Sequence, residues 1–228
     1  MHRPGYPDAA VEWALRPVRR RKVVRVLDLA AGTGRLTEAL QRANVDVIAV
    51  EPDPHMRSEM LRRVSGVAVL AGSGEDIPLP TQRVDAVLVG QALHWFDQER
   101  ALPEIARVLK PAGVFAALWN GDDHRQKWVM EYSRLSGFPP GKAATRPPVA
   151  EHEAFEPITW ATFENSHRRT IDSLLATVGT FSATLVLEPH ERAEKLRLLR
   201  EYLLSRPETA GGEFDLPLVT TVARAIRR

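Results

Sequence analysis

The first strong pattern along the chain is an apolar run that gives way to small residues and then to a helical repeat. Val23–Leu29 is apolar apart from Arg25 and Asp28. A short run of this kind, rich in β-branched residues, predicts a strand buried on both faces of a parallel sheet. Ala30–Gly34 consists of small residues that let the backbone turn tightly, and Arg35–Ala43 has helical spacing. The order of strand, glycine-rich turn and helix is typical of nucleotide-binding α/β folds.

The alternation of apolar runs and helical repeats continues through the middle of the chain. Further strands are predicted at Asp46–Val50, Val67–Leu70, Val84–Val89 and Val114–Trp119, and helices at Met56–Val64 and Asp97–Leu109. Pro103 lies within the second helix, and because proline is tolerated in a first turn we expect the regular helix to begin near Leu102. Strands that alternate with helices predict a doubly wound α/β fold.

The flanking segments have weaker patterns. They predict a helix Asp8–Leu15 capped by Asp8, a loop Asn120–His124, a helix Lys127–Leu135, a strand Ile158–His167, a helix Thr170–Ala176 capped by Thr170, an amphipathic helix Pro189–Leu204 and a last strand Leu216–Ala225. Residues 120–154 form an insertion, interpreted either as an acceptor-binding lid or as a plain connector. We expect a single domain over residues 1–228, with a cofactor half at 23–119 and C-terminal strands and helices at 155–228.

Composition and charge exclude several kinds of chemistry and partner. The 228 residues are 44% hydrophobic and 26% charged, which is a globular composition, and the net charge of +2 favours neither nucleic acid nor a membrane as a partner. The lack of cysteine excludes disulfides, thiolate metal sites and a cysteine nucleophile. No apolar stretch is long enough to cross a membrane and no signal-peptide core is present, so we expect a cytoplasmic protein. The oligomeric state is not indicated.

A basic run precedes the first strand, made of Arg16 and the residues Arg19–Lys22. Such a run is either a nucleic-acid patch or a solvated helix end, where cations also suit the helix dipole. No aromatic residues interleave with it, which favours the solvated helix end. We therefore expect no nucleic-acid partner.

The glycine-rich turn has the pattern Asp28-x-Ala30-x-Gly32-x-Gly34. A dinucleotide fingerprint would need a third glycine where Thr37 stands, and no phosphate-binding P-loop is present. The pattern resembles the first motif of class I S-adenosylmethionine (SAM) methyltransferases. That resemblance implies that the Asp28 carboxylate accepts from the ammonium of SAM and that the turn packs on its methionine part. The alternative is an ordinary glycine-rich turn of an α/β protein.

Later segments extend the resemblance. Glu51 ends the second strand, where such folds hydrogen-bond a ribose diol. Met56 stands where the family places a methionine on the adenine, although a core methionine is the alternative. The loop that begins at Gly72 resembles the adenine loop of the family, with Ser73 in place of a frequent aspartate. The resemblance assigns cofactor contacts to Asp28, Ala30, Gly32, Gly34, Glu51, Pro52, Met56, Ser73, Gly74, Glu75 and Gln91.

The segment Glu104–Gly113 resembles a further family motif, and the ends of the chain favour the type 11, trans-aconitate-methyltransferase-like group. An R-P-x-Y-P segment containing Arg3 and Tyr6, and the segment Thr170–Leu174, carry that resemblance. It implies a Rossmann-like sheet of seven strands, mostly parallel, with an antiparallel last strand. Arg3 and Tyr6 then face the SAM carboxylate or the acceptor, or else belong to a solvated arm. The group has an aromatic helix ahead of this segment, so a truncated start is expected.

The methyl acceptor should bind beyond the ends of the fourth and fifth strands, near Gln91, Trp95, Trp119 and Asn120. His94 lies in the same region, and the unperturbed pKa of histidine, about 6.5, suits a general base, although packing of the pocket wall is the alternative role. No residue cluster has metal-ligand spacing, so no metal is expected. The leading hypothesis is a SAM-dependent methyltransferase with a small-molecule acceptor, whose identity the sequence does not give. The alternatives are a nucleotide-dependent oxidoreductase and a SAM-binding homologue without catalysis.

Overall fold

The computed structural model describes residues 4–137 and 147–228. Arg3 and residues 138–146 of the expected insertion lie outside this range. The helices are α1 (Asp8–Leu15), α2 (Arg35–Arg42), α3 (Pro54–Arg63), α4 (Gln98–Val108), α5 (Lys127–Ser136), α6 (Ile171–Val178), α7 (Ser182–Leu185) and α8 (Pro189–Leu204). The strands are β1 (Arg25–Leu29), β2 (Asp46–Val50), β3 (Ala68–Leu70), β4 (Val84–Gly90), β5 (Leu109–Asp122), β6 (Thr159–Thr170) and β7 (Glu213–Ile226).

The strands form one sheet in the order β3-β2-β1-β4-β5-β7-β6. The pairs β1–β2, β2–β3, β1–β4 and β4–β5 are parallel, and the last strands are antiparallel. The predicted seven-stranded, mostly parallel sheet is therefore confirmed. Strand order reverses beside β1, since the chain moves from β1 outward to β3 and then returns to β4 on the other side. Ligands of such sheets bind at this switch point, beyond the carboxyl ends of the strands.

Alternate side chains of β1 belong to two different cores, as a strand buried on both faces requires. Leu27 and Leu29 belong to a cluster that also contains residues of β4 and α4, whereas Val26 belongs to a cluster with α1 and α2. Full burial of side chains of this size contributes about 1.5–3 kcal/mol each. These two cores fix the carboxyl end of β1, where the glycine-rich turn begins.

The described chain divides into two compact units. One contains residues 5–120, 147–163 and 220–228, and thus the whole parallel part of the sheet. The other contains residues 121–137 and 164–219 of the described chain, with its own core built on α5, α6, α8 and part of β7. The expected single domain over residues 1–228 stays a prediction.

Several predicted boundaries were wrong. Val23 is 62% exposed and lies outside β1, because the strand begins at Arg25, whose backbone N–H donates to Asp85. Asn120 and Asp122 belong to β5 and not to a loop.

The start predicted for one helix and the cap predicted for another were also wrong. The helix α4 begins at Gln98 and not near Leu102, because the Asp97 carboxylate accepts from Glu99 N at 3.2 Å and caps it, while Pro103 is accommodated on its exposed side. Asp8 does not cap α1: the N-cap is Pro7, and the Asp8 carboxylate instead pairs with Arg42 at 2.9 Å. The cap by Thr170, which accepts from Ser173 N, is confirmed.

Candidate functional site

The turn after β1 alternates the sign of its backbone angle φ. Ala30, Gly32 and Gly34 have φ of +57°, +58° and +88°, and the residues between them are not left-handed. A left-handed alanine is uncommon, which marks Ala30 as a constrained position. Gly34 is required for two reasons, since it is left-handed and a Cβ there would lie 2.9 Å from Val64 Cγ2. Alternation of this kind turns successive backbone N–H groups toward one side, where they can hold an anionic or polar group.

The Glu51 carboxylate, only 5% exposed, is held against this turn. Its Oε2 accepts from Gly32 N at 2.8 Å and its Oε1 from Asp53 N at 2.9 Å. Two backbone bonds fix the carboxylate plane and still leave further lone pairs on the oxygens. The end of β2 therefore carries a pre-oriented acceptor pair of the kind that a vicinal diol needs.

Asp28 lies below the turn and is fully buried. Its Oδ2 accepts from Thr37 Oγ1 at 2.5 Å, whereas Oδ1 has no hydrogen-bond partner among the described residues. Burial raises the pKa of Asp28 to about 7, with a smaller contribution from the nearby Glu51 charge and against the lowering effect of the Thr37 bonds. A buried carboxylate oxygen without a donor is costly, so a cationic donor at this point would be stabilised.

Met56, in the first turn of helix α3, lies beside the glycine-rich turn that follows β1. Asp53 caps this helix, accepting from His55 N at 2.7 Å and Met56 N at 3.1 Å. The Met56 side chain is 45% exposed, and a Cβ placed on Gly32 would lie 3.9 Å from its sulfur. An exposed thioether beside the turn offers an apolar surface to a flat ligand rather than to the protein core.

The loop after β3 is held against the segment that follows β4. Gly74 is buried, and a Cβ there would lie 2.8 Å from the Phe96 ring. The Glu75 carboxylate accepts from Asp97 N at 3.0 Å, and Ser73 Oγ accepts from Glu75 N at 3.3 Å. Glu75 is thus engaged in the structure of the loop, while the Ser73 hydroxyl keeps its own O–H for a ligand.

The segment after β4 combines a constrained backbone with exposed rings. Gln91 is left-handed at φ +58°, and its side-chain N–H donates to Asn120 O at 2.9 Å. His94 is exposed, with its ring 4.8 Å from the ring of Trp95, and Trp95 is 80% exposed. A tryptophan so exposed is unusual. We call the segment with His94 and Trp95 the lip of the site, and its exposed rings can cover a bound ligand.

The end of β5 carries Trp119, which is 9% exposed and stacks on Trp160 at 6.3 Å between ring centroids. The indole Nε1 of Trp119 is buried and has no acceptor among the described residues. Buried donors are normally satisfied, so this N–H indicates a position where a ligand oxygen or nitrogen would be stabilised.

The described part of the insertion docks on α4. Gln98 donates to Pro148 O at 3.2 Å and accepts from Ala150 N at 2.8 Å. A groove of about 270 Å³ lies nearby, lined by residues 149–153 and 155–158 together with Leu102, Phe115, Ala225 and Arg228. None of its lining residues belongs to the turn, to Glu51 or to the segment after β4, so the groove is not part of the candidate site.

The described residues form neither a metal centre nor a membrane-spanning helix. Residues 4–137 and 147–228 contain no group of three or more His, Asp or Glu side chains placed to hold a metal ion. Within the same ranges, no helix has the length and apolar character needed to cross a membrane.

Comparison with known proteins identifies the family and the fold of the chain. Residues 27–117 match the family described as "Methyltransferase domain". An uncharacterized methyltransferase of Mycobacterium tuberculosis is 37% identical over 224 residues, which is 98% of this chain and 90% of that protein. The chain belongs to the methyltransferase family. The comparisons do not specify the trans-aconitate-methyltransferase-like group, which stays a prediction.

Solved structures agree with this methyltransferase assignment. A protein of Anaeromyxobacter dehalogenans described as a type II methyltransferase superposes with a TM-score of 0.71 and 26% identity, covering 100% of this chain and 98% of that one. Geranyl diphosphate methyltransferase in complex with SAM shares the fold, with a TM-score of 0.51 and 16% identity over 97% of this chain and 85% of that chain.

The structure of the methyltransferase brings all of the assigned residues to one edge of the sheet. Those that gather around the turn are Asp28, Ala30, Gly32, Gly34, Glu51, Pro52 and Met56, with Ser73, Gly74 and Glu75 on the next loop and Gln91 and His94 after β4. Their roles stay predictions. The sequence analysis did not identify Thr37, whose hydroxyl donates to the Asp28 carboxylate. A sign of its role was available in the sequence, because a polar residue stands where a dinucleotide-binding site has glycine.

Proposed function

We propose that this methyltransferase uses SAM as its methyl donor and transfers the methyl group to a small-molecule acceptor. The observation that carries the proposal is the pair of buried acids at one turn, Asp28 with an unpartnered oxygen and Glu51 with its carboxylate already oriented. SAM presents an ammonium and a sugar diol, which need acceptors. Thr37 stands where a dinucleotide site needs its third glycine, which argues against a diphosphate at the same place.

The fit extends to the rest of the donor. Asp28 Oδ1 would take the ammonium, Glu51 the two ribose hydroxyls, and the exposed Met56 side chain one face of the adenine. Ser73 replaces the aspartate frequent in the family, and its hydroxyl is the nearest equivalent acceptor for an adenine amino group. The complex of geranyl diphosphate methyltransferase with SAM supports this choice of donor for the shared fold.

The chemistry follows from positioning. SAM supplies a methyl group already activated by its sulfonium, so the protein has to align the acceptor atom with the carbon–sulfur bond and exclude water. Alignment of two bound reactants can lower a barrier by as much as about 7–11 kcal/mol. The lip with Trp95 and the pair Trp119–Trp160 would hold the acceptor, and the His94 imidazole would take its proton where the acceptor atom must lose one.

Calorimetry tests the donor first. We expect SAM and S-adenosylhomocysteine to bind the full chain with micromolar dissociation constants, and NADH not to bind. A screen of small acids, amines and phenols, read as release of S-adenosylhomocysteine, then tests transfer. Binding of NADH in preference to SAM would favour an oxidoreductase and overturn the proposal. SAM binding without turnover on any acceptor would favour a homologue that binds the donor without catalysis.

A further inference from the structure

The strand β6 forms one edge of the sheet, since it stands last in the strand order. Within residues 4–137 and 147–228, no further strand pairs with its outer side. It is 12 residues long and contains no proline. Strands average about 5–6 residues, and proteins commonly shorten their edge strands or interrupt them with proline. An edge of this length offers its backbone N–H and C=O groups to another strand.

Exposure alternates along the middle of β6 and identifies the residues on its solvent-facing side. Glu164, Ser166 and Arg168 are exposed, whereas the residues between them are at least partly buried. Ser166 N donates to the side chain of its neighbour, Asn165 Oδ1, at 2.9 Å. A backbone N–H that bonds a side chain is not used in the ladder with β7, so the Ser166 backbone faces the open edge. Because a strand alternates with a period of two, the backbone groups of Glu164 and Arg168 face the same way.

The charges of this stretch are arranged symmetrically about Ser166. Glu164 comes two residues before it and Arg168 two residues after it. If two copies pair antiparallel with Ser166 opposite Ser166, Glu164 of each copy lies directly opposite Arg168 of the other. Opposite charges in such positions stabilise a strand pair by about 0.2–1 kcal/mol, whereas like charges keep edge strands apart. The edge therefore complements itself in one register.

The charged groups around these two residues follow the same symmetry. Arg125 Nη2 lies 3.4 Å from Glu164 Oε1. Glu213 Oε2 and Asp215 Oδ2 lie 3.4 and 3.3 Å from the Arg168 guanidinium. A two-fold axis would bring the basic group at one end toward the acidic pair of the second copy. Long contacts between side chains as exposed as Glu164 (87%) and Arg168 (58%) are weak, so both residues are available to a partner.

We propose that β6 is the surface on which a second copy of this chain docks, with the two strands antiparallel about a two-fold axis at Ser166. A contact of this kind closes as a dimer, because each copy uses the same surface. The Ser166 pair and the two pairs of Glu164 with Arg168 would exchange on the order of six backbone hydrogen bonds. The Asn165 side chain releases the Ser166 N–H when the strands pair. None of these residues belongs to the candidate functional site.

Sedimentation velocity on the full chain tests the interface. We expect the wild type to dimerise with a micromolar dissociation constant. Glu164→Arg sets like charges opposite each other at two symmetric positions and should raise that constant about tenfold. Adding Arg168→Glu restores opposite charges and should return the constant to within about threefold of the wild type. Glu59→Arg is the matched control, because it reverses an exposed acid on α3 and should leave dimerisation unchanged.

Disulfide formation tests the register. The chain has no cysteine, so Ser166→Cys carries one thiol per copy. Opposite residues of a hydrogen-bonded antiparallel pair have Cα atoms about 5.5 Å apart, which a disulfide can span, so oxidation by air should link the two copies. Thr162→Cys is the matched control, since Thr162 is exposed on the same strand. In this register its two copies lie roughly 27 Å apart and should not link.

Three results would overturn the proposal. The first is a wild type that stays monomeric at its highest soluble concentration. The second is a dimer that Glu164→Arg does not weaken, which would place the interface elsewhere on the chain. The third is linking of Thr162→Cys as fast as Ser166→Cys, which would exclude a two-fold axis at Ser166.

Discussion

The candidate site has two parts, which differ in the kind of structure that forms them. After β1 and β2, the proposed donor site consists of a constrained backbone and of the buried Glu51 carboxylate, which already accepts from Gly32 N. After β4, it depends on side chains that stand in solvent, as at His94 and Trp95. The first part suits a ligand of fixed shape, and the second can change its residues without disturbing the fold. Under the proposed function, donor and acceptor recognition are therefore built from different kinds of structure.

The largest expected effect comes from removing the oriented carboxylate. Glu51→Ala removes two charged hydrogen bonds to the diol and should weaken SAM binding by about 4 kcal/mol, or about a thousandfold. Calorimetry with SAM measures the change. Glu59→Ala, which removes an exposed acid from α3, is the matched control and should bind SAM as the wild type does. A change of less than tenfold in Glu51→Ala would show that the sugar is held elsewhere.

Gly34→Ala tests the backbone requirement of the turn. The residue is left-handed, and its new Cβ would lie 2.9 Å from Val64 and 3.0 Å from Met60. We expect a loss of unfolding free energy of about 3 kcal/mol and a fall in melting temperature of about 10 °C. Gly211→Ala, with open space around it, should leave the melting temperature unchanged. A stable Gly34→Ala protein would mean that the turn relaxes freely.

The pH dependence of donor binding reports on Asp28. Burial raises its pKa from 3.8 to about 7. Since an ammonium favours the ionised carboxylate, SAM affinity should rise by up to about tenfold per pH unit until pH 7, and then level off. Binding of 5′-methylthioadenosine, which has no ammonium, should not depend on pH in this window. A pH-independent SAM affinity would remove Asp28 from the ammonium site.

The raised pKa of Asp28 also affects the stability of the ligand-free protein, and here the effect of rising pH is unfavourable. Because the folded state holds the Asp28 proton more tightly than the unfolded state, the stabilisation is complete below pH 3.8 and is lost as the pH rises through about 7. Asp28→Asn should remove this component from the pH dependence of the melting temperature. An unchanged pH profile in Asp28→Asn would contradict the raised pKa.

Met56→Ala should have a moderate effect, because it removes an apolar surface without creating a cavity. We expect SAM to bind about fivefold more weakly, which corresponds to about 1 kcal/mol of lost burial. Met130→Ala is the matched control, since this methionine of α5 is similarly exposed at 41%. Equal SAM affinity in both variants would favour a purely structural Met56.

The smallest expected effect is that of His94→Ala on donor affinity. The imidazole is exposed and contacts Trp95, so the dissociation constant for SAM should stay within about twofold. Once an acceptor is found, the pH profile of kcat decides the catalytic hypothesis. A turnover number that is unchanged across pH would show that His94 is not the base.

Local pattern determined much of this protein. The alternation of strands and helices predicted the sheet, and Asp46–Val50 and Pro189–Leu204 have the bounds expected, because apolar periodicity directly reports which faces are buried. The residues of the turn and Glu51 were also predictable, since left-handed backbone and close approach restrict the choice of residue locally. Boundaries were less predictable where distant atoms decide them, as Asp85 does for the start of β1.

Only the tertiary structure decided how residues far apart in the chain meet. It left one oxygen of Asp28 without a partner while Thr37 holds the other, and it set Met56 beside Gly32. It also placed the Tyr6 side chain against Gly90, which lies 84 residues further along the chain. The sequence around either residue does not predict this contact. Sequence patterns report a residue's burial and backbone needs, whereas the partner that satisfies them is selected by the packing of the whole sheet.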